Sequence, residues 1–248
     1  MPWRKEYGAY ENRCRSARNV ITSRRGGGKR APRAAPDGPK RAESVTPEHP
    51  RITALAEVLA RHAWDEPPPD PTLPRAAVAL VLRPGDDGPE LLLIRRAERE
   101  GDPWSGHMAL PGGREQPEDA DPAATAARET HEEVGIDLRT QGRLLGPLEP
   151  VWPQSSRAPR ILVRPFVFWA PGETATVPNH EVDEAVWVPV AELQEPGSVT
   201  EHLLEIEGVG PLRFPAFGTR GYVIWGLTHR ILTTFLELYA AAEFRRER

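Results

Sequence analysis

Cysteine is almost absent from this chain: Cys14 is the only one in 248 residues. No intrachain disulfide can form, which fits a reducing, cytoplasmic setting. No long apolar run opens the sequence, which argues against a secretory signal. The most apolar late segment, Tyr222 to Ala242, carries His229, Arg230 and Glu237, so it reads as a packed amphipathic helix and not as a membrane span. No internal repeat is visible. Lysine is scarce as well, and all three, Lys5, Lys29 and Lys40, fall before residue 50.

Charge divides the chain in two. Residues 1–50 hold twelve Lys or Arg against five acids, a net of +7, whereas residues 51–248 hold twenty against thirty-one, a net of −11. The stretch Ser23 to Pro32 has almost nothing apolar to bury and is expected to be disordered. A basic tail of this kind suits an acidic surface, a transit peptide or a dispensable extension. Without aromatic interleaving or a folded module it does not point to nucleic acid as a partner. The division expected is a disordered basic tail over 1–50, a helix and Pro-rich linker over 51–74, and one domain with a C-terminal helical extension over 75–248.

Ile52, Leu55, Val58 and Leu59 recur at helical spacing and predict an amphipathic helix over Ile52 to Ala63, ended by the prolines of Glu66 to Pro74. Ala76 to Leu82 and Glu90 to Arg95 read as a hairpin around Pro84 to Pro89. Further strands are expected over Arg143 to Pro150, Arg160 to Ala170 and Ala185 to Val190, the last leading into a short helix. Strands mixed with two or three helices make an α/β chain.

The stretch Leu110 to Leu138 carries the chemistry. Asp121-Pro122 is a good helix opening, and Gly135 stands where a left-handed residue ends one. Glu129, Glu132 and Glu133, at i, i+3 and i+4, share one face of that helix. Three like charges there repel unless something positive lies between them. Hard cations such as Mg²⁺ take oxygen ligands, whereas a solvated face with Arg128 as partner is the plainer reading. Gly112-Gly113 in front of the helix lets a backbone carbonyl or amide turn toward a ligand.

These residues resemble the Nudix hydrolase box, G-x5-E-x7-R-E-U-x-E-E-x-G-U, with U a bulky aliphatic residue. Arg128 to Ile136 match its second half, with Thr130 at a U position. The first half departs from it: Ala120 stands where the box has Glu, and the loop is one residue longer if Gly113 is its glycine. Glu118, Asp119 and Asp121 flank the missing acid, and one of them is a candidate replacement. The lengthened spacing is similar to the coenzyme A diphosphatase branch, as are Leu91 to Arg96, Gly106 and Leu110 to Gly113 upstream, although Trp104 stands near an expected His and Leu110 replaces Phe.

The resemblance implies a Nudix-type α/β/α sandwich over a mixed sheet, with Mg²⁺ or Mn²⁺ held by Glu129, Glu132, Glu133 and the Gly113 carbonyl. It makes Glu129, Glu181 and Arg128 the catalytic candidates, Arg128 by orienting the glutamates. The substrate implied is nucleotide-derived, coenzyme A or a thioester of it, with ADP-ribose or another nucleoside diphosphate derivative as the alternative, and a non-catalytic nucleotide-binding or RNA-associated domain as a further one. Arg95 and Arg96 are candidate phosphate contacts, and Trp104, Trp152 or Trp169 candidate partners for a base. Gly221 to Leu232 resembles the terminal helix of the same branch. Its apolar stripe reads as core or dimer surface, and His229 as structural.

Overall fold

A computed structural model describes residues 49–64, 70, 72–102, 104–153, 160–172, 174–206 and 210–246. Nearly all of the expected basic tail, and the prolines at 67–69 and 71, lie outside them.

The first helix, α1 (Pro50–Arg61), buries Ile52, Leu55 and Leu59. Strands β1 (Arg75–Gly85) and β2 (Gly88–Arg96) form an antiparallel hairpin whose last paired residues are Gly85 and Gly88, so Asp86-Asp87 makes the turn. The two strands pair only from Leu82 and Leu91 to that turn. Beyond it they splay, and two short strands enter the gap: β3 (Met108–Ala109) against β2, and β4 (Gly112–Arg114) against β1. After α2 (Pro122–Val134) and the single turn α3 (Leu138–Gln141) come β5 (Arg143–Pro147), β6 (Leu162–Trp169), β7 (Val182–Pro189) and α4 (Val190–Gln194). Strand β6 runs parallel to β1, while β5 and β7 pair antiparallel with β6 and β2, so the seven-stranded sheet is mixed.

Alternation along β1 and β2 separates two cores. Ala77, Ala79 and Val81, with Leu92 and Ile94, face the layer holding Ala126, Ala127 and Val134 of α2. Leu80, Leu82, Leu91 and Leu93 face the opposite way, with Ile52, Leu55 and Leu59 of α1 and with Ile231, Leu232 and Phe235 of α5 (Gly226–Arg246). The sheet therefore lies between helices, the α/β/α sandwich expected. Each fully buried large aliphatic contributes on the order of 2 kcal/mol.

The segment after α4 differs from the sequence reading. A second, three-stranded antiparallel sheet follows, made of β8 (Val199–Ile206), β9 (Gly210–Thr219) and β10 (Tyr222–Trp225). Pro211 and Pro215 disguise β9, because proline removes a ladder donor. Strand β10 covers only Ala216 to Thr219 of β9, so both prolines sit where that edge of β9 is open. The helix expected over Tyr222 to Ala242 accordingly starts four residues later. Tyr-Val-Ile-Trp is a strand-favouring run that finds a partner, and α5 begins at Gly226. No helix among the described residues is long and apolar enough to cross a membrane.

His229 on α5 is buried, 4.5 Å from the Phe217 ring, and burial pushes its imidazole down to about 4. The unfolded chain takes up this proton near its ordinary value, about 6.5, and the folded chain does not. Stability is therefore complete above that pH and is lost as pH falls toward 4. Between pH 7 and pH 5 wild type should lose about 2 kcal/mol more than His229→Leu, measured as urea unfolding at each pH. Parallel pH dependence of the two proteins would disprove it.

Candidate active site

Helix α2 is placed by its ends. The Asp121 carboxylate accepts the Ala124 amide at 2.8 Å, Pro122 occupies the first turn, and Gly135, at φ +78°, closes the helix on the His131 carbonyl. Thr130, the polar residue at an aliphatic position of the motif, is fully buried but donates its hydroxyl to the Ala126 carbonyl at 2.7 Å. With its hydroxyl satisfied, it serves as a core residue.

The carboxylates gather around Arg128. Its Nε and Nη2 donate to the two oxygens of Asp119 at 2.9 and 3.0 Å. Nη1 donates to Glu129 at 2.8 Å and Glu132 at 3.1 Å, and Nη2 also reaches the Arg114 carbonyl. Asp119 accepts in addition the Thr125 hydroxyl and the Gln116 amide. These bonds, the Arg128 guanidinium first, hold the Asp119 carboxyl far below the usual carboxylate range. Of the three acids flanking the missing loop Glu, Asp119 therefore takes its place, while Asp121 caps the helix and Glu118 is exposed.

Glu133 is the anomaly of the helix. Only 3% exposed, it accepts the Gly112 amide at 2.9 Å. Burial, with Glu129 and Glu181 adding to it, pushes its carboxyl up to about 8, and Glu129 is raised chiefly by burial too. Gly112, at φ +155°, lies so close to β1 that a Cβ would collide with the Ala77 carbonyl and with Val78.

The backbone register bears on the candidate carbonyl ligand. The Pro111 carbonyl accepts the Ala79 amide and the Glu115 amide donates to the Arg75 carbonyl, and Gly113, opposite Ala77, falls at the same hydrogen-bonding phase of the alternating ladder. The Gly113 carbonyl is thus directed at β1, and the neighbouring Gly112, whose amide meets Glu133, presents its carbonyl on the carboxylate side.

Among the described residues, no three Asp, Glu, His or Cys side chains stand together at metal-ligating spacing, because Arg128 holds Glu129 and Glu132 while Glu133 turns to Gly112. The donor set nonetheless suits a hard divalent cation. It is all oxygen, and it includes a carboxyl whose charged form burial disfavours and a cation would favour.

Other candidates are divided. Glu181, in the loop before β7, pairs with Arg99 at 3.1 Å and stands near enough for its charge to raise Glu129 and Glu133. Arg96 also acts on Glu133, but its guanidinium pairs with Asp102 at 2.7 Å. Arg95 is held by Asp183 at 2.7 Å and Glu184 at 3.1 Å. Trp169 is core and not a base platform, whereas Trp104 and Trp152 are exposed. His131 is exposed, away from Glu133. The Arg99 contact and the role of the Gly112 amide carried no sequence signal, since both depend on how loops 97–107 and 110–114 return to the sheet.

The NUDIX domain model matches residues 72–205. An uncharacterized protein of Schizosaccharomyces pombe is 33% identical over 70% of this chain and 52% of its own length. Human mitochondrial coenzyme A diphosphatase NUDT8 is 30% identical over 68% of the chain and 71% of its own length. Among solved structures, the Ap4A hydrolase of Caenorhabditis elegans aligns with a TM-score of 0.41 and 21% identity, over 48% of this chain and 82% of that one. The chain spans about half the length of the first curated relatives it matches.

Asp119→Ala should cost about 2–3 kcal/mol of unfolding free energy, because it strips two charge-assisted bonds from a partly buried guanidinium. Glu118→Ala should stay within about 0.5 kcal/mol. The Glu133 carboxyl, raised in the folded state, contributes stability that is complete below about pH 4.5 and lost as pH rises through 8. Thermal unfolding without metal should therefore show a fall in midpoint from pH 6 to pH 9 that Glu133→Gln lacks.

Proposed function

This chain belongs to the Nudix family, and from that premise we propose that it is a divalent-cation-dependent diphosphatase whose substrate is coenzyme A or an acyl-coenzyme A. The reaction is hydrolysis of the phosphoanhydride, adding water and releasing 3′,5′-ADP and the (acyl) 4′-phosphopantetheine. The observation that carries the reading is the buried Glu133 on a helix face shared with Glu129 and Glu132. A domain with no use for a cation has no reason to bury that charge. Substrate choice rests on the lengthened loop and on the resemblance to a coenzyme A diphosphatase.

Glu129, Glu132 and Glu133, with the Gly112 carbonyl, would hold Mg²⁺ or Mn²⁺. A cation held by these residues would supply the positive charge that neutralises phosphate oxygens and makes water more acidic. Arg128 positions Glu129 and Glu132 through its own bonds and is itself held by Asp119. The Gly112 amide fixes the rotamer of Glu133. Glu181 takes the proton of the attacking water, and Arg99, its ion-pair partner, keeps it at the mouth of the cluster. Arg96, whose charge already acts on Glu133, is the better candidate of the two β2 arginines for a phosphate contact.

The deciding assay incubates the protein with Mg²⁺ and separately with coenzyme A, ADP-ribose, reduced NAD and nucleoside triphosphates. Release of 4′-phosphopantetheine and 3′,5′-ADP is expected, with Glu133→Gln lowering kcat/KM by roughly 100-fold or more. Activity confined to ADP-ribose would overturn the substrate. Equal inertness of wild type and Glu133→Gln across the panel would overturn the enzyme.

A further inference from the structure

The second sheet builds a cleft against the edge of the first. Gly106, His107 and Met108, from the loop and β3, form one side, and His202, Val223 and Trp225, from β8 and β10, form the other, with Arg95 at one end. Its volume, about 320 Å³, is within the lower range of small-molecule sites, about 300–1,000 Å³. Val223 and Trp225 lie beyond the part of the chain matched by the family model.

Three features say what such a cleft accepts. First, it is not cationic. Arg95 is committed to Asp183 and Glu184, and Glu184 also accepts the Tyr222 hydroxyl at 2.7 Å, so the three charged groups sum to −1 and offer a phosphate nothing. Second, the Trp225 ring already has a stacking partner and does not stand free as a platform for a base. It stacks on His202 at 4.1 Å and is flanked by His107 at 4.9 Å and Phe214 at 5.5 Å. Third, the walls pair apolar surface with neutral polar groups. Met108 and Val223 supply the former, and burial holds both imidazoles below their ordinary pKa, so each presents one donor and one acceptor at neutral pH. The cleft also adjoins the carboxylate cluster electrostatically, since the charge of Arg96 acts on both His107 and Glu133.

We propose that this cleft, walled by His107, His202, Val223 and Trp225, is the subsite for the neutral, amide-bearing arm of the substrate. The diphosphate and nucleoside lie outside it. The assignment rests on the coenzyme A reading above, in which that arm is the pantetheine chain. Amides find donors and acceptors in the two imidazoles, and the methylenes lie on Met108, Val223 and Trp225. Substrates whose diphosphate carries no such chain forfeit these contacts.

The test uses the full chain and two fragments as probes, pantetheine and adenosine 3′,5′-bisphosphate, observed by saturation-transfer NMR. Trp225→Leu removes the wall. Val223→Asp, at a position 40% exposed, puts a charge in the cleft without touching the core. Pantetheine binding should fall at least about fivefold in both variants, about 1 kcal/mol, while the bisphosphate stays within about twofold. Pantetheine that binds neither protein, or binds wild type and Val223→Asp alike, overturns the assignment. So does a bisphosphate that needs Trp225. If wild type cleaves coenzyme A but pantetheine is indifferent to both variants, the cleft assignment fails and the enzyme reading stands. If pantetheine depends on Trp225 in a protein that cleaves no coenzyme A, the reverse holds.

Discussion

One guanidinium organises the site. Arg128 joins a loop to a helix, because its fork meets Asp119 and the Arg114 carbonyl on one side and two glutamates of α2 on the other. A lysine has the charge but not the five planar donors that this arrangement uses. Asp119 is the counterpart. Its two oxygens accept from Arg128, Thr125 and Gln116, so the loop before α2 is fixed to the first two turns of the helix. The one-residue loop extension and the absent loop Glu are compensated together by a shorter acid at a different position.

The second constraint is the splayed hairpin. Because β1 and β2 separate beyond Leu82 and Leu91, β4 can lie on β1 directly beneath α2. Gly112 then reaches Glu133, and a side chain at Gly112 would push β4 off β1. Burying a carboxylate there is costly in isolation. The cost is concentrated at a site where a cation would reverse it, while both cores on either side of the sheet are apolar. Stability and chemistry are drawn from different residues of the same helix: Ala126, Ala127 and Val134 for one, Glu129, Glu132 and Glu133 for the other.

Much of this was legible in the chain. Asp121-Pro122 and Gly135 bounded α2 because capping is a local event, and the turn residues Pro84 to Pro89 between two apolar runs disclosed the hairpin for the same reason. What depended on distant partners was hidden. Pro211 and Pro215 spoke against a strand that β8 nonetheless pairs along its length, and Tyr222 to Trp225 continued an apolar pattern into the helix. At the site, three acids were equal candidates for one role until tertiary contact chose Asp119. The Gly113 carbonyl was expected beside the carboxylates until the register turned it toward β1. The wall of His202 and Trp225 had no local signal, since the two residues stand on different strands and meet only across β9 of the second sheet.

Helix α1 carries a practical corollary. The region matched by the family model begins at residue 72, yet Ile52, Leu55 and Leu59 are wholly or almost wholly buried, and the Leu59 side chain lies over Gly146 of β5. The edge of homology and the edge of the cooperative folding unit are therefore about twenty residues apart. A fragment trimmed to the matched region would expose one face of its own sheet, and the shortest self-sufficient piece has to start ahead of Pro50.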